Sequence, residues 1–248
     1  MTTSPLRPLA VPPLAPRAWL VAGWRSYLAQ PAVSSAYAAL FVLAGLFGSA
    51  MAWRFDLLPM LYPLAMSFML VGPVAATGFY RLSAARRAGQ RPGLGEALQA
   101  WRGHAELWVL AIFSGFLWLI WMTDAAILYG LYFGSSHPGL LPQFGFERTW
   151  PAFSVFATLM WLLVGLIIFS VNALSVPLLF ESRLSLPLAV GCSVRAIFGN
   201  PLAMFGWAIV LTLVVLVSFI VPLLFLVTLP VLAYGSEACY RDIYPPPA

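Results

Sequence analysis

The stretch LAMFGWAIVLTLVVLVSFIVPLLFLVTLPVLAYGSEACY, residues 202–240, decides the fold of this chain. It is about twice as long as the roughly 20 apolar residues that cross a bilayer core of about 30 Å. The only turn signal inside it runs from Ser218 to Pro222. A single tilted or kinked helix that contains Pro222 and Pro230 is the alternative. Two spans keep Arg241 on the side that carries most arginines, so we predict two short helices here.

The composition of the whole chain indicates that lipid is the solvent for most of its surface. Hydrophobic residues make up 62% of the chain and charged residues 8%, a balance that a water-soluble fold cannot present without aggregating. We therefore predict an all-α, polytopic transmembrane helical bundle of about six spans, arranged as three hairpins. The predicted spans lie near residues 34–53, 57–80, 107–133, 150–180, 202–219 and 222–240.

The ends of the chain differ in composition from the apolar middle. Prolines crowd the first segment, so residues 1–16 are predicted to be a disordered N-terminal tail. Residues 17–242 are predicted to form a single transmembrane domain, and residues 243–248 a C-terminal tail. The first span is expected to remain as a signal anchor, because its lead is too long for a cleaved signal peptide.

The distribution of basic residues predicts the orientation. The chain has 13 basic residues, all arginine, and six spans leave only Arg54 and Arg148 on the outer side. The positive-inside rule then predicts an inner-membrane protein with both termini in the cytoplasm. The net charge of +5 would suggest a nucleic-acid partner in a soluble chain. Here the arginines orient the helices, so we expect membrane lipids and other integral membrane proteins as partners and no nucleic acid.

A short amphipathic stretch with helical spacing precedes each predicted hairpin. Each stretch is predicted to lie on the inner leaflet as an interfacial helix. The predicted apolar faces are Leu20, Trp24 and Leu28; Leu94, Leu98 and Trp101; and Val190, Val194 and Ile197, with Ser193 and Arg195 turned away.

Two polar side chains inside the predicted spans are candidate functional residues. Asp124 is the only acid well inside a span, where an ionisable group marks a cation or proton site by default. The structural alternative is a protonated Asp124, or one paired with Arg54 or Arg148. Asn172, with neighbouring serines, is interpreted as a hydrogen-bonding link between helices.

Residues near the second span suggest two further surfaces. Arg81, Arg86, Arg87 and Arg91 are candidate contacts for anionic lipid, although such runs ordinarily serve topogenesis. Gly72, Pro73, Ala76 and Gly78 form a small-residue strip that is predicted to let a neighbouring helix approach closely. At the other end of the chain, Glu237 and Arg241 are four residues apart and are predicted to form an ion pair.

No cofactor or enzymatic activity is predicted. His104 and His137 both fall outside the predicted spans, so they supply no axial pair for a haem. Met66 and Met69 share a helix face and could hold Cu(I), which is a soft ion. Methionine more often fills gaps in packed bundles, so no copper site is predicted. Cys192 and Cys239 are predicted to be free thiols. Phosphate-binding loops, nucleophile elbows and zinc-protease motifs are absent from the sequence.

Two parts of the sequence resemble a family of bacterial membrane proteins. The first is VGPVAATGFYRLS at residues 71–83, followed by Arg86, Arg87, Gly89 and Pro92; the second comprises SVRAI at 193–197, Asn200-Pro201, Gly206-Trp207, LPVL at 229–232 and Tyr240-Arg241. The family they resemble is domain of unknown function 2189. The resemblance implies an inner-membrane protein of about six helices, a family sometimes labelled as a cytochrome c oxidase component. Histidines that members often carry before the Tyr-Arg pair are missing here, which puts any metal or haem role in doubt.

These observations give two hypotheses of function. The leading one is a non-enzymatic structural or accessory subunit of a larger membrane assembly, for which a respiratory oxidase is one candidate. The alternative is a small transporter or permeability factor in which Asp124 is linked to a cation or proton. A polar cavity around Asp124 would support the transporter, and a lipid-sized groove lined by Trp and Phe would support the scaffold.

Overall fold

The computed structural model describes residues 6–55, 57, 61–100, 102–133 and 149–245. The secondary structure of these residues is helical, without strands, as the sequence predicts. The α-helices, in chain order, are α1 (Ala15–Leu28), α2 (Pro31–Arg54), α3 (Leu61–Arg87), α4 (Leu94–Leu98), α5 (Ala105–Phe133), α6 (Thr149–Asn172), α7 (Ser175–Phe180), α8 (Leu186–Gly199), α9 (Pro201–Ile220) and α10 (Phe225–Ile243).

Five segments of the described chain are long and apolar enough to cross a membrane. They are Pro31–Arg54, Ala105–Leu131, Ser154–Phe180, Pro201–Ile220 and Pro222–Ile243. The predicted spans near residues 34–53, 107–133, 150–180 and 202–240 overlap these segments. Helix α3 has 27 residues and overlaps the predicted span at 57–80. The count of six spans and their pairing into hairpins remain predictions.

Prolines set the two breaks within the long apolar runs. The C-terminal run breaks at Val221, and Pro222–Leu224 form one turn of 3-10 helix before α10 begins. The predicted span at 150–180 also breaks, because the ring of Pro177 is incompatible with a helical carbonyl four residues earlier. The N–H of Leu174, just after this break, donates to Ser193 Oγ of α8 at 3.2 Å. Helix α8 therefore binds the backbone at the break.

Helix α10 lies at the centre of the bundle, and its own proline is accommodated by a neighbour. Pro230 inside this helix lacks an N–H, so the carbonyl of Leu226 loses its helical donor. Ser35 Oγ of α2 donates to that carbonyl at 2.9 Å. A hydroxyl from an adjacent helix thus replaces the missing backbone bond, as apolar surroundings require.

Helix α1 packs along α10 by a face that differs from the predicted one. Trp19, Gly23 and Tyr27 are buried, whereas Trp24 and Leu28 of the predicted apolar face are exposed. A Cβ on Gly23 would collide with the carbonyl oxygen of Val231 and lie 2.8 Å from the backbone nitrogen of Gly235. Glycine permits this close approach of two helix backbones.

The other two predicted surface helices bury faces that differ wholly or partly from the predicted ones; in α8 Ile197 is buried and Arg195 is exposed, as predicted, whereas Val190 and Val194 are half-buried. In α4, Ala97 is buried while Leu94 and Leu98 are exposed; the side chain of Trp101 lies outside the described residues. In α8 the buried residues are Ala189, Cys192, Ser193, Ala196 and Ile197. The prediction that Ser193 turns away is wrong, because its hydroxyl donates to the Ser170 carbonyl at 2.8 Å as well as binding Leu174 N–H. In both helices small side chains face the bundle, since they allow closer packing than large apolar ones.

The N-terminal segment is ordered where the sequence predicts a disordered tail through residue 16. Leu9 N–H donates to the carbonyl of Ile243 at 3.0 Å, and Val11 N–H donates to Asn200 Oδ1 at 2.9 Å. Asn200 Nδ2 in turn donates to the Leu9 carbonyl at 3.2 Å. Because the side-chain amide of Asn200 satisfies backbone groups of Leu9 and Val11, this segment is held against the start of α9 and the end of α10.

Candidate functional site

A cluster of charged residues joins three parts of the chain at the end of α10. Glu237 of α10 is buried and pairs with Arg87 of α3 and with Arg241, whose Nη2 lies 3.2 Å from Glu237 Oε1. Arg241 Nη2 also lies 2.9 Å from Glu181 Oε1 in the turn after α7. The predicted Glu237–Arg241 pair is therefore confirmed, and it belongs to a larger charge cluster of Arg87, Glu181, Glu237, Tyr240 and Arg241.

Tyr240 and Arg183 extend this charge cluster to the C-terminal residues. Tyr240 OH donates to Glu181 Oε2 at 2.7 Å and accepts from Arg183 Nη1 at 2.9 Å. Arg183 Nη1 also donates to the Tyr244 carbonyl at 3.0 Å. The Tyr244 hydroxyl donates to the Cys192 carbonyl, and burial raises the pKa of Tyr244. Both carboxylates of the cluster thus face arginines or a hydroxyl, an arrangement that fixes helix ends together.

Of the four arginines predicted to contact anionic lipid, three are exposed and one forms an ion pair with Glu237. The side chains of Arg81, Arg86 and Arg91 are exposed, and none forms an ion pair among the described residues. Arg87 instead pairs with Glu237 and donates to Ser83 Oγ at 2.8 Å, with 42% of its side chain exposed. The four arginines therefore divide between a structural contact and an open cationic surface.

Asn172 lies in a helix–helix seam, far along the chain from Asp124. Its Nδ2 donates to Ser114 Oγ of α5 at 2.9 Å, and both residues are buried. Its Oδ1 has no hydrogen-bond partner among the residues that the structure describes. Trp121 and Trp161 pack in a small core cluster farther along the same two helices. This placement matches a polar link between α5 and α6.

Asp124 is half-buried on α5 and is not part of the charge cluster. The expected partner Arg148 lies outside the described residues, and Arg54 is exposed without an ion pair among those that are described. The structure therefore does not bring Asp124 and Asn172 into one site. No group of three or more potential metal ligands is found within the described part of the chain.

The predicted small-residue strip of α3 faces two different surroundings. Gly78 is approached so closely by the Tyr37 ring of α2 that a Cβ there would overlap it. A Cβ on Gly72 would meet nothing within 4 Å, because Gly72 lines an open groove. Ala76 is buried and lines the same groove, and the side chain of Pro73 lies outside the described residues. Of the two glycines in the strip, Gly78 thus makes the predicted close approach to another helix, and Gly72 does not.

The groove has a volume of about 430 Å³ and lies between α6 and α9, with α3 and α10 as its floor. Its walls carry the aromatic side chains of Trp161, Phe169, Phe205 and Trp207. Its rim is exposed at Leu162, Leu166, Ile209 and Leu213. An apolar concavity of this volume lies in the size range of ligand pockets.

Histidine and cysteine side chains are held by structural contacts. The His104 nitrogens lie 3.1 Å and 3.0 Å from the carbonyls of Arg102 and Phe180, and its ring stacks on Phe180. His137 lies outside the described residues. Cys192 and Cys239 are buried free thiols, as predicted.

Apolar helices of spanning length, a groove within them and a charge cluster at one end define an integral membrane protein that crosses the bilayer several times. Residues 61–181 of the chain match a family model described as "predicted integral membrane protein", domain of unknown function 2189. The resemblance stated from residues 71–83 is thereby confirmed; the second part of it, at residues 193–241, lies outside the matched range. No curated protein and no solved structure matches the chain.

Sequence reasoning missed Glu181, Arg183 and the groove. A signal for Glu181 and Arg183 was present, since they are charged residues directly after a long apolar run, where helix ends meet. The groove has no comparable signal, because apolar residues that line a concavity and those that face lipid have the same sequence pattern.

Proposed function

We propose that this protein is a non-enzymatic inner-membrane protein that acts as a structural or accessory subunit of a larger membrane assembly, with both termini in the cytoplasm. The observation that carries the proposal is an exposed apolar face on α5 that has open space at its two glycines. Gly115, Thr123, Ala126 and Gly130 are exposed, and their spacing places them on one side of the helix. A Cβ on Gly115 or Gly130 would meet nothing within 4 Å.

The partner that fits this face is a transmembrane helix of another membrane protein. Small residues let helix backbones approach closely in lipid, where association depends on packing. Leu119 lies on the same face, four residues from both Gly115 and Thr123, and Ile127 borders it; both are exposed. The charge cluster supports the same role, because it ties α3, α7 and α10 into one body that can present α5 in a fixed position.

The alternative of a transporter or permeability factor depends on Asp124. Residues that line the groove are mainly apolar and do not include Asp124. The balance of these observations favours the accessory role. A transport assay of the Asp124→Asn variant in vesicles tests the alternative: a loss of cation or proton flux would favour the transporter.

The test of the accessory role is crosslinked purification from the native membrane in mild detergent, followed by mass spectrometry. We expect stoichiometric recovery of one membrane complex, with crosslinks that map to α5. The Gly115→Leu, Gly130→Leu variant should lose this partner, whereas Gly72→Leu on the groove should keep it. Recovery of the protein alone, or a partner that the α5 variant retains, would contradict the proposal.

A further inference from the structure

We propose that the groove between α6 and α9 binds one acyl chain of an anionic membrane lipid, with the lipid headgroup at the end of the groove beside the charge cluster. This site is separate from the α5 face. The inference depends on the dimensions of the groove, on the distribution of polar atoms along it and on the exposed cations at one end.

The length of the groove corresponds to one leaflet. Its lining extends from Met204 to Val215 on α9 and from Leu229 to Cys239 on α10. At 1.5 Å per residue these segments are about 15–17 Å long, about half of a hydrocarbon core of about 30 Å. A chain that enters from one leaflet would therefore fill the groove from end to end.

The lining of the groove suits a flexible apolar chain. Its volume of about 430 Å³ lies in the range of ligand pockets. Small residues form part of the floor, and a Cβ on Gly72 would find open space. The aromatic walls offer flat apolar surfaces to methylene groups.

Polar groups that line the groove are concentrated toward one end. Tyr80 of α3 and Ser236 of α10 both lie near the charge cluster, because Glu237 follows Ser236 directly. Ser236 Oγ accepts from Trp207 Nε1 at 3.3 Å. Thr212, farther along α9, donates its hydroxyl to the Ala208 carbonyl of its own helix. The groove is thus amphipathic along its axis, as a lipid is.

The charges at the polar end select the headgroup. Arg86 and Arg87 lie beyond Tyr80 at the end of α3; Arg86 is exposed, and 42% of the Arg87 side chain is exposed. The two carboxylates of the charge cluster are already paired with Arg87 and Arg241. Asp242 at this end is also exposed and accepts from Trp19 Nε1, but the exposed arginines outnumber it, so the net charge is positive and complementary to a phosphate that carries a net negative charge.

The experiment uses the full chain reconstituted in phosphatidylcholine vesicles that contain a trace of phosphatidylglycerol with a photoactivatable acyl chain. Mass spectrometry then locates the labelled peptides. Label should concentrate on the lining segments of α6, α9 and α10. The same photoactivatable chain on phosphatidylcholine should label these segments less, and Arg86→Gln should remove the difference between the two lipids.

A matched pair of glycine variants tests whether the groove itself is responsible. Gly72→Leu fills open space in the groove, and Gly115→Leu adds the same side chain to the exposed face of α5. Displacement of two methylenes from the groove lowers affinity about tenfold, so groove labelling should fall by about that factor in Gly72→Leu and remain unchanged in Gly115→Leu.

Two outcomes would overturn the proposal. One is label spread evenly over all lipid-facing helices and insensitive to Gly72→Leu. The other is a groove that crosslinks to a helix of a second copy or of another protein instead of lipid. If Gly72→Leu does not fold, Ala208→Phe in the groove wall, with Ala126→Phe on the exposed side of α5 as its control, decides between the same outcomes.

Discussion

Glu237 links the end of α3 to the end of α10 through its ion pairs with Arg87 and Arg241. Its side chain is 8% exposed, and two arginines from different parts of the chain face it. A buried carboxylate is tolerated only when it is paired and hydrogen-bonded, because desolvation of an isolated charge is costly. The two arginines in turn depend on Glu237, since each retains fewer acceptors without it.

We predict that Glu237→Gln destabilises the protein by about 1–3 kcal/mol, since it removes the charge from a carboxylate that accepts from Arg87 and Arg241. Both arginines are partly exposed, which limits the cost. Thermal unfolding in detergent can be followed with a thiol-reactive dye, because Cys192 and Cys239 are buried in the folded state.

The matched control for this prediction is Glu106→Gln in the first turn of α5. Glu106 forms no ion pair among the described residues, so its neutralisation should change the unfolding temperature little. Equal shifts in the two variants would show that the charge cluster does not stabilise the fold.

At the scale of the element, α10 combines the highest burial with an internal proline. In the candidate span Pro222–Ile243, which contains α10, 61% of the most apolar stretch is buried. This share is larger than in the other candidate spans of the described chain. Such a helix has little water nearby to satisfy the carbonyl that Pro230 leaves open. The Ser35 hydroxyl on α2 is therefore part of the structure of α10.

We predict that Ser35→Ala destabilises the protein by about 1–3 kcal/mol, because the Leu226 carbonyl is then buried without a donor. In a Pro230→Ala background the helix supplies its own N–H, so the same change should cost much less. A double-mutant cycle measured by thermal unfolding gives this coupling.

Ser49→Ala is the control, since Ser49 donates within its own helix, to the carbonyl of Gly45. Additive effects of Ser35→Ala and Pro230→Ala would refute the explanation.

The contact of α1 with α10 gives a second prediction at this scale. Gly23→Ala should destabilise the protein by about 1–3 kcal/mol or more, because its Cβ collides with the backbone of α10 at Val231 and Gly235. Gly115→Ala should be neutral or slightly stabilising, since it adds the same atom to open space on α5. Unfolding temperatures of the two variants provide the check; similar values would mean that α1 does not pack this closely.

The sequence predicts the helices well and their contacting faces poorly. Apolar length and proline positions are local properties, so the spans and the break near Pro222 follow from them. Burial in a membrane protein does not follow the apolar face, because lipid accepts large apolar side chains as readily as a core does. For this reason Trp24 and Leu28 are exposed while Gly23 and Ser193 are buried. The Glu237–Arg241 pair was predictable from its spacing of four, but Arg87 and Glu181 join it through tertiary contacts.

At the scale of the whole molecule, both ends of the described chain meet. The Leu9–Ile243 hydrogen bond places the N-terminal segment beside the end of α10. If both lie outside the bilayer, an even number of spans is required, which favours the prediction of six over five.

We predict that reporters fused to the N terminus and to the C terminus are both active on the cytoplasmic side. The arginine distribution predicts the side of the membrane on which the two ends lie. The contact between the two ends predicts an even number of spans. Enzymatic reporters that work only in the cytoplasm or only outside it provide the measurement. A reporter pair that places the two ends on opposite sides would establish an odd number of spans.

The packing of α1 on α10 also orders events during synthesis. Helix α1 leaves the ribosome early, yet the surface that Trp19 and Gly23 occupy is completed only when residues 231–242 have been made. Contacts between such distant segments form late and slowly. Nascent chains interrupted before α10 would expose the Gly23 face of α1 to the quality-control machinery of the membrane, so burial of this face requires that synthesis has passed α10.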